Sequence, residues 1–315
     1  MVWWARRAPR AEVIRVKASE FVSTYANKGL AAWEAAAFEA ARQGHLTPRE
    51  WVPITLKDDA GNTAVIQVQE DVLGIGPKND SIRLPLTPIG AQNIFNLYGW
   101  LLPTPWIVYQ IWKNAPIKLT PTSIAALGEQ NKGADLNQYY KHSQFLDRQI
   151  AGVLATTPQR IGRPEIVAGA KKHVVVDGAH YQPKKVLIFG WYHPSPDVFD
   201  DGRAMGASNR QPIQPISNLH GDFYVDYSHG VQAIHPIAIV NGVQMNTADL
   251  YIHPTLSKLV SSSPIKHVRY PSSVPVASFR PESASVYNVL PDVHPTVPGL
   301  SEYALHEIAR RFGQS

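Results

Sequence analysis

The chain of 315 residues contains no cysteine. Disulfide bonds, thiolate zinc sites and a cysteine nucleophile are therefore all excluded. Long apolar runs are also missing, because the most apolar neighbourhood, residues 99–112, contains two prolines and is too short to span a bilayer. Residues 1–17 carry positive charge but no apolar core of signal-peptide length. We therefore expect a soluble chain with no secretory signal, in a compartment that the sequence leaves open.

A concentrated charge of one sign is lacking as well. The chain has 30 basic and 25 acidic residues, for a formal net charge of +5. The basic residues lie in small scattered clusters, whereas phosphate binding needs them gathered on one face. We expect no nucleic-acid partner and a polymeric or small-molecule substrate instead, while the oligomeric state stays open.

Helical patterns dominate the first half of the chain. Apolar residues recur at intervals of three and four over residues 18–43. Thr-Pro pairs at Thr47, Thr87 and Thr104 each offer an N-cap followed by proline at the first helical position. Residues 62–73 alternate polar and apolar side chains and predict a strand after a turn.

Strand patterns take over from residue 171, where the period changes to two. This segregation predicts an α+β fold, in which a helical N-terminal half packs on an antiparallel sheet from the C-terminal half that can close into a barrel. We assign residues 1–17 to an N-terminal arm and residues 18–260 to a single α+β domain. Residues 261–315 form a proline-rich tail whose short C-terminal helix, over 301–312, packs back.

Several sequence blocks occur in a fixed order between residues 81 and 259. They include PLTP, LPTPW, GW and IQPIS, followed by YVDYSHG. In this respect the chain resembles a family of uncharacterised bacterial and phage proteins that share these blocks. The resemblance implies that the blocks form one folding unit, and it assigns no reaction.

Acid–base groups are densest in the segment of residues 186–242. His220, Asp226, Ser228 and His229 fall within ten positions, and Lys172 lies in a neighbouring strand that is predicted from residue 171. We take these five residues as the candidate catalytic groups.

Three mechanisms are open to these groups. In the first, His220, Asp226 and His229 bind zinc, but their spacing matches no established zinc motif, so we predict a site without metal or other cofactor. In the second, Ser228 is a nucleophile. Strand alternation would place Asp226 and Ser228 on one face and His229 on the other, unless a bulge near Gly230 reunites them. With the faces separate, His220 or His193 would serve as the base. In the third, His229 or His220 activates water while Asp226 fixes its tautomer.

Three further residues are candidates for substrate binding. Trp191, with its neighbour Tyr192, could stack on a sugar or another flat ligand. Tyr227 is a further candidate contact, and Lys171 could contact an anionic group. The structural alternative for the whole segment is a buried polar network that crosses a sheet.

These patterns favour an enzyme, namely a hydrolase that acts on a polymeric substrate such as a cell-wall peptide or glycan by His/Asp acid–base chemistry. The alternative is a non-enzymatic binding or virion-associated assembly protein, in which the proline-rich extended segments mediate assembly.

Overall fold

The computed structural model describes residues 16–156, 165–192, 194, 212–262 and 264–277. Within them the fold is α+β, as predicted. The α-helices are α1 (Ala18–Tyr25), α2 (Leu30–Arg42), α3 (Pro88–Tyr98), α4 (Pro105–Asn114), α5 (Leu136–Thr156) and α6 (Thr247–Ile252). Short 3₁₀ helices span Ile124–Leu127 and Leu256–Leu259.

The strands form two four-stranded sheets, ordered β1-β2-β11-β12 and β10-β7-β8-β9, and two strand pairs, β3-β4 and β5-β6. Both larger sheets are open within the described part of the chain. The strands are β1 (Trp51–Lys57), β2 (Thr63–Gln69), β3 (Gly74–Ile75), β4 (Ile82–Arg83), β5 (Ile117–Lys118), β6 (Val167–Ala168), β7 (Lys172–Val174), β8 (Ile188–Gly190), β9 (Gln214–Ser217), β10 (His229–Gly230), β11 (Ile237–Val240) and β12 (Val243–Asn246).

Helices α3 and α4 begin where the Thr-Pro pairs predict. The hydroxyl of Thr87 accepts a hydrogen bond from the Gly90 amide, and that of Thr104 accepts one from the Ile107 amide. Each side chain thereby satisfies an amide that the helix itself leaves without a partner. Gly99 ends α3 in the left-handed conformation, with φ of 69°.

The prediction of a helical turn at Thr47 is wrong. The chain is extended there and continues into β1, which forms a hairpin with β2. Asp58 stabilises the connecting turn, because its Oδ1 accepts a hydrogen bond from the Asn62 amide at 2.8 Å. The pairing of β1 with β2, the strand predicted within residues 62–73, outweighs the preference of the Thr-Pro pair at Thr47 for the start of a helix.

The first sheet draws strands from both halves of the chain. Val65 of β2 pairs with Ile239 of β11. The N-terminal half thus supplies strands as well as helices, which refines the predicted segregation.

The second sheet positions the candidate site. Its strand β7 pairs antiparallel with β8, as predicted, and parallel with β10. Helix α4 packs on this sheet, where a Cβ added to Gly190 would lie 3.0 Å from Cγ1 of Val108. A side chain at position 190 would therefore separate helix and sheet.

The described part of the proline-rich tail packs on the main domain. Ile265 and Tyr270 are buried, and the hydroxyl of Tyr270 donates to the carbonyl of Val175 at 3.0 Å. The C-terminal helix predicted over residues 301–312 and most of the N-terminal arm lie outside the described residues.

Candidate functional site

Residues 226–229 form a turn rather than the continuous strand that the sequence predicts. Oδ1 of Asp226 accepts hydrogen bonds from the amide of Ser228 at 2.8 Å and from its hydroxyl at 2.6 Å. The amide of His229 donates to the carbonyl of Asp226 at 3.1 Å. The prediction that alternation separates Asp226 from His229 is therefore wrong, because an aspartate that bonds the backbone two residues ahead favours a turn over a strand.

Asp226 is a buried and well-satisfied carboxylate, 6% exposed. Its Oδ2 accepts a hydrogen bond from the hydroxyl of Tyr224 at 2.8 Å, in addition to the two bonds from Ser228. Burial opposes ionisation of Asp226. The positive charge that His229 carries in its protonated form and the hydrogen bonds from Ser228 and Tyr224 outweigh this effect, and they lower the pKa of Asp226 to about 2. Asp226 is therefore a fixed negative charge at neutral pH.

His229 is the least satisfied polar group of the site. Its side chain is 1% exposed, and neither ring nitrogen has a hydrogen-bond partner among the described residues. Burial lowers the pKa of His229 to about 4, although the Asp226 carboxylate acts in the opposite direction. The imidazole is therefore neutral at pH 7.

The hydroxyl of Ser228 is directed to a carboxylate rather than to a histidine. The residue is buried, and its carbonyl accepts the amide of Lys172 at 2.7 Å, which ties the turn to β7. Of the two bases predicted for a serine nucleophile, His193 lies outside the described residues and His220 stacks on Tyr224. The geometry thus gives Ser228 a positioning role towards Asp226.

His220 connects the buried turn with the surface. It is exposed, and its ring stacks on Tyr224 with 3.9 Å between centroids and 13° between planes. Because the hydroxyl of Tyr224 donates to Asp226, the two aromatic rings form a continuous path from solvent to the carboxylate. Burial and the contact with Asp226 raise the pKa of Tyr224 to about 12, so this donor keeps its proton.

Lys171 lies in the interior, with an exposed fraction of 0%. Its Nζ donates to the carbonyl of Tyr227 and to Nδ1 of His142, the latter at 2.9 Å. Nε2 of His142 donates in turn to the carbonyl of Thr122 at 3.1 Å. The ring of Tyr227 packs edge-on against His142. Internal groups hold both Lys171 and Tyr227, and their predicted role in substrate binding stays a prediction.

The buried amine of Lys171 should leave a signature in the pH dependence of stability. Burial and the nearby Arg83 lower the pKa of Lys171 from 10.5 to about 7. Between these values the unfolded chain binds a proton that the folded chain releases, so the free energy of unfolding should rise with pH, by up to about 1.4 kcal/mol per pH unit. Urea titrations of Lys171→Met between pH 7 and 9.5 should show a flatter rise than the wild type. The exposed lysine variant Lys78→Met should keep the wild-type slope, and equal slopes for Lys171→Met and the wild type would contradict the assignment.

Lys172 and Trp191 form a separate pair beside His229. Nζ of Lys172 lies 5.1 Å from the centroid of the Trp191 ring. Burial lowers the pKa of Lys172 as well, although Asp226 opposes this effect. Trp191 is 8% exposed, and its Nε1 has no hydrogen-bond partner within the described ranges.

The zinc alternative finds no support in the described residues. They contain no group of three or more histidine, aspartate or glutamate side chains placed to hold a metal ion. In the turn geometry Asp226 is engaged by Tyr224 and Ser228, while His220 faces solvent.

Sequence reasoning missed two polar constellations. Arg83 and Asp71 form a buried ion pair at 2.8 Å. Near the surface, Oδ2 of the buried Asp177 lies 2.7 Å from Nδ1 of the partly exposed His180. A turn signal in the sequence Asp177-Gly-Ala-His180 could have indicated the pair of Asp177 and His180. The pair of Arg83 and Asp71 has no local signal, because the fold brings its two residues together.

An open cleft lies between the first 3₁₀ helix and α5. Its volume is about 240 Å³, and it contains none of the predicted site residues. It is lined by Ile124, Leu127, Glu129, Lys141, Gln144 and Arg148. We assign the candidate site to the 226–229 turn, because the unsatisfied and ionised groups gather there.

Among the helices in the described ranges, none has the length and apolar character needed to cross a membrane. No family model matches the chain, and no curated protein or solved structure matches it either. The resemblance to bacterial and phage proteins therefore stays a prediction.

Proposed function

We propose that this protein is a hydrolase that cleaves a polymeric substrate, such as a cell-wall peptide or glycan, by acid–base chemistry at His229 and Asp226. The state of His229 is the observation that supports this most strongly. A buried imidazole without hydrogen-bond partners is uncommon in a native protein and costs stability. Such groups, with strongly shifted pKa values, concentrate at functional sites.

His229 would act as the general base. Its neutral imidazole accepts a proton from the water that attacks the substrate, and then returns this proton to the leaving group. The ionised Asp226 raises the proton affinity of His229 through space. It therefore stabilises the imidazolium that forms during the reaction.

The remaining candidates would assist this pair. Ser228 and Tyr224 hold Asp226 in place through their hydroxyl groups. Lys172 supplies positive charge on the strand paired with His229, where it would contact a negatively charged group of the substrate. His220 lies at the surface end of the stacked rings, where substrate would approach.

A non-enzymatic binding or assembly role is the second candidate function. The observation that favours it is the strong exposure of Leu219, at 80%, and of Phe223, at 76%. These two apolar side chains flank His220, and apolar groups that cluster at a surface often mark a contact with another macromolecule.

The hydrolase is tested by incubating the protein with purified bacterial peptidoglycan, and measuring released amines for peptide cleavage and reducing ends for glycan cleavage. The base form of His229 is required, so the rate should increase as the pH rises through about 4, the value to which its pKa is lowered. No second increase is expected near the ordinary histidine value of about 6.5. Absence of both products at every pH would contradict cleavage of this polymer, and a rate that rises only near 6.5 would contradict the role of His229.

A further inference from the structure

The second sheet places His229, Lys172 and Gly190 side by side. His229 of β10 pairs with Lys172 of β7, and Lys172 pairs with Gly190 of β8. Directly paired residues project to the same face of a sheet. The side chains of His229 and Lys172 therefore share one face.

Trp191 reaches this neighbourhood through an unusual backbone. A residue that follows Gly190 in a regular strand would point to the opposite face. The pairing of β8 with β9 is irregular between Ile188 and Gly190, and φ is positive at both Gly190 (107°) and Trp191 (62°). The bulge brings the indole ring beside Nζ of Lys172. A bulky residue with positive φ is strained, and such strain is often found at ligand sites.

The same neighbourhood contains donors without acceptors. Nε1 of Trp191 can only donate a hydrogen bond, and it is buried with no acceptor in the described part of the chain. The ammonium group of Lys172 adds donors and positive charge, and it lies over the indole ring. Within the described part of the chain it forms no ion pair, although the charge of Asp226 acts on it through space. A ligand group that accepts hydrogen bonds and carries negative charge would satisfy both. A carboxylate has these two properties.

We propose that Lys172 and Trp191 form an anchoring subsite for a substrate carboxylate, next to the base His229. The inference rests on the proposed function, and it defines the substrate class as a peptide or sugar polymer that bears a carboxylate. Lys172 pairs with the carboxylate charge while Nε1 of Trp191 donates to one of its oxygens. Binding at this subsite would hold the scissile bond beside His229.

The subsite is tested by binding, without turnover. The ¹⁵N-labelled protein is titrated with N-acetyl dipeptides that have a free or an amidated C-terminus, and with glucuronic acid or glucose. The indole N–H signal of Trp191, assigned with Trp191→Phe, should shift with carboxylate ligands and not with their neutral counterparts. The indole of Trp33, which is also buried without a hydrogen-bond partner among the described residues, is the internal control and should not shift. The peptide and sugar arms distinguish the two sources of the carboxylate.

Lys172→Met should weaken binding of the carboxylate ligand by about 10- to 100-fold, the usual effect of a hydrogen bond to a charged group. Lys118→Met is the matched control, because Nζ of Lys118 lies over the Trp112 ring at 4.7 Å, and its affinity should match the wild type.

Equal shifts with neutral ligands, no shift with any carboxylate, or unchanged affinity in Lys172→Met would overturn the subsite. If carboxylates bind as expected but no polymer is cleaved, the hydrolase proposal fails alone. If cleavage occurs and Lys172→Met has the wild-type KM, the subsite fails alone.

Discussion

His229→Gln should reduce the turnover number of the proposed hydrolase by about 10²- to 10⁴-fold, the usual contribution of a general base. Glutamine is neutral and of similar size, but it cannot accept a proton at the pH of the reaction. Because His229 has no hydrogen-bond partner in the described part of the chain, the exchange breaks no side-chain hydrogen bond in the folded protein. The variant should therefore fold normally while turnover is lost.

Asp226→Asn should cause a loss of similar size. The amide oxygen can still accept a hydrogen bond from Ser228, so the turn is retained, but the negative charge that stabilises the imidazolium of His229 is absent. Turnover should fall with KM much less affected, because the charge acts mainly in the transition state.

A matched control separates chemistry from stability. His235 is another buried histidine, at 5% exposed, and it packs edge-on against Trp51 in the first sheet. His235→Gln should lower the thermal midpoint while the folded fraction retains wild-type turnover. Near-wild-type turnover in His229→Gln, or an equal loss of turnover in His235→Gln, would rule out His229 as the base.

Asp71→Asn should have the largest effect on stability, with a loss of about 3–5 kcal/mol in the free energy of unfolding. Arg83 is 2% exposed, and its Nη2 lies 2.8 Å from Oδ2 of Asp71, which also contacts Arg49 at 3.2 Å. Burial raises the pKa of Asp71, but the two arginines outweigh it and hold the pKa below its usual value. Removing this charge leaves two buried guanidinium groups. The half-exposed Asp147, bonded to Arg83, and Glu70, which acts on Arg49 through space, compensate them in part.

Urea unfolding of the Asp71 variant measures this loss. Glu129→Gln is the control, because Glu129 forms an ion pair with the exposed Lys141, which water already stabilises. It should leave the urea midpoint unchanged. A midpoint for Asp71→Asn that equals the wild-type value would show that the buried pair does not hold β4 in place.

Local signals in the sequence predicted the helix starts well. Thr87 and Thr104 cap their helices through bonds that reach only three residues along the chain, so the sequence contains the whole cause. Strand β1 was missed because it contains Pro53 and is stabilised by pairing with β2 at the edge of the sheet. Proline is compatible with such an edge position, although it weakens the strand signal.

The backbone geometry of the candidate site was not predicted. Asp226, Ser228 and His229 were selected from their density in the sequence, and their role as a site stays a prediction. The alternation rule assumed a strand, whereas Asp226 accepts a hydrogen bond from the amide of Ser228 and forms a turn. The burial of Lys171 could not be predicted, because lysine is almost never fully buried without a partner, and its partner His142 comes from α5. Long-range contacts of this kind have no local signal.

The most direct test of the acid–base centre is a titration of the His229 ring by NMR in the wild type and in Asp226→Asn. The wild-type pKa should be about 4, because burial lowers it more than Asp226 raises it. In Asp226→Asn the pKa should be lower still, since the charge that favours the protonated ring has been removed. A wild-type pKa near the ordinary value of about 6.5, unchanged in the variant, would contradict the electrostatic interaction of Asp226 with His229.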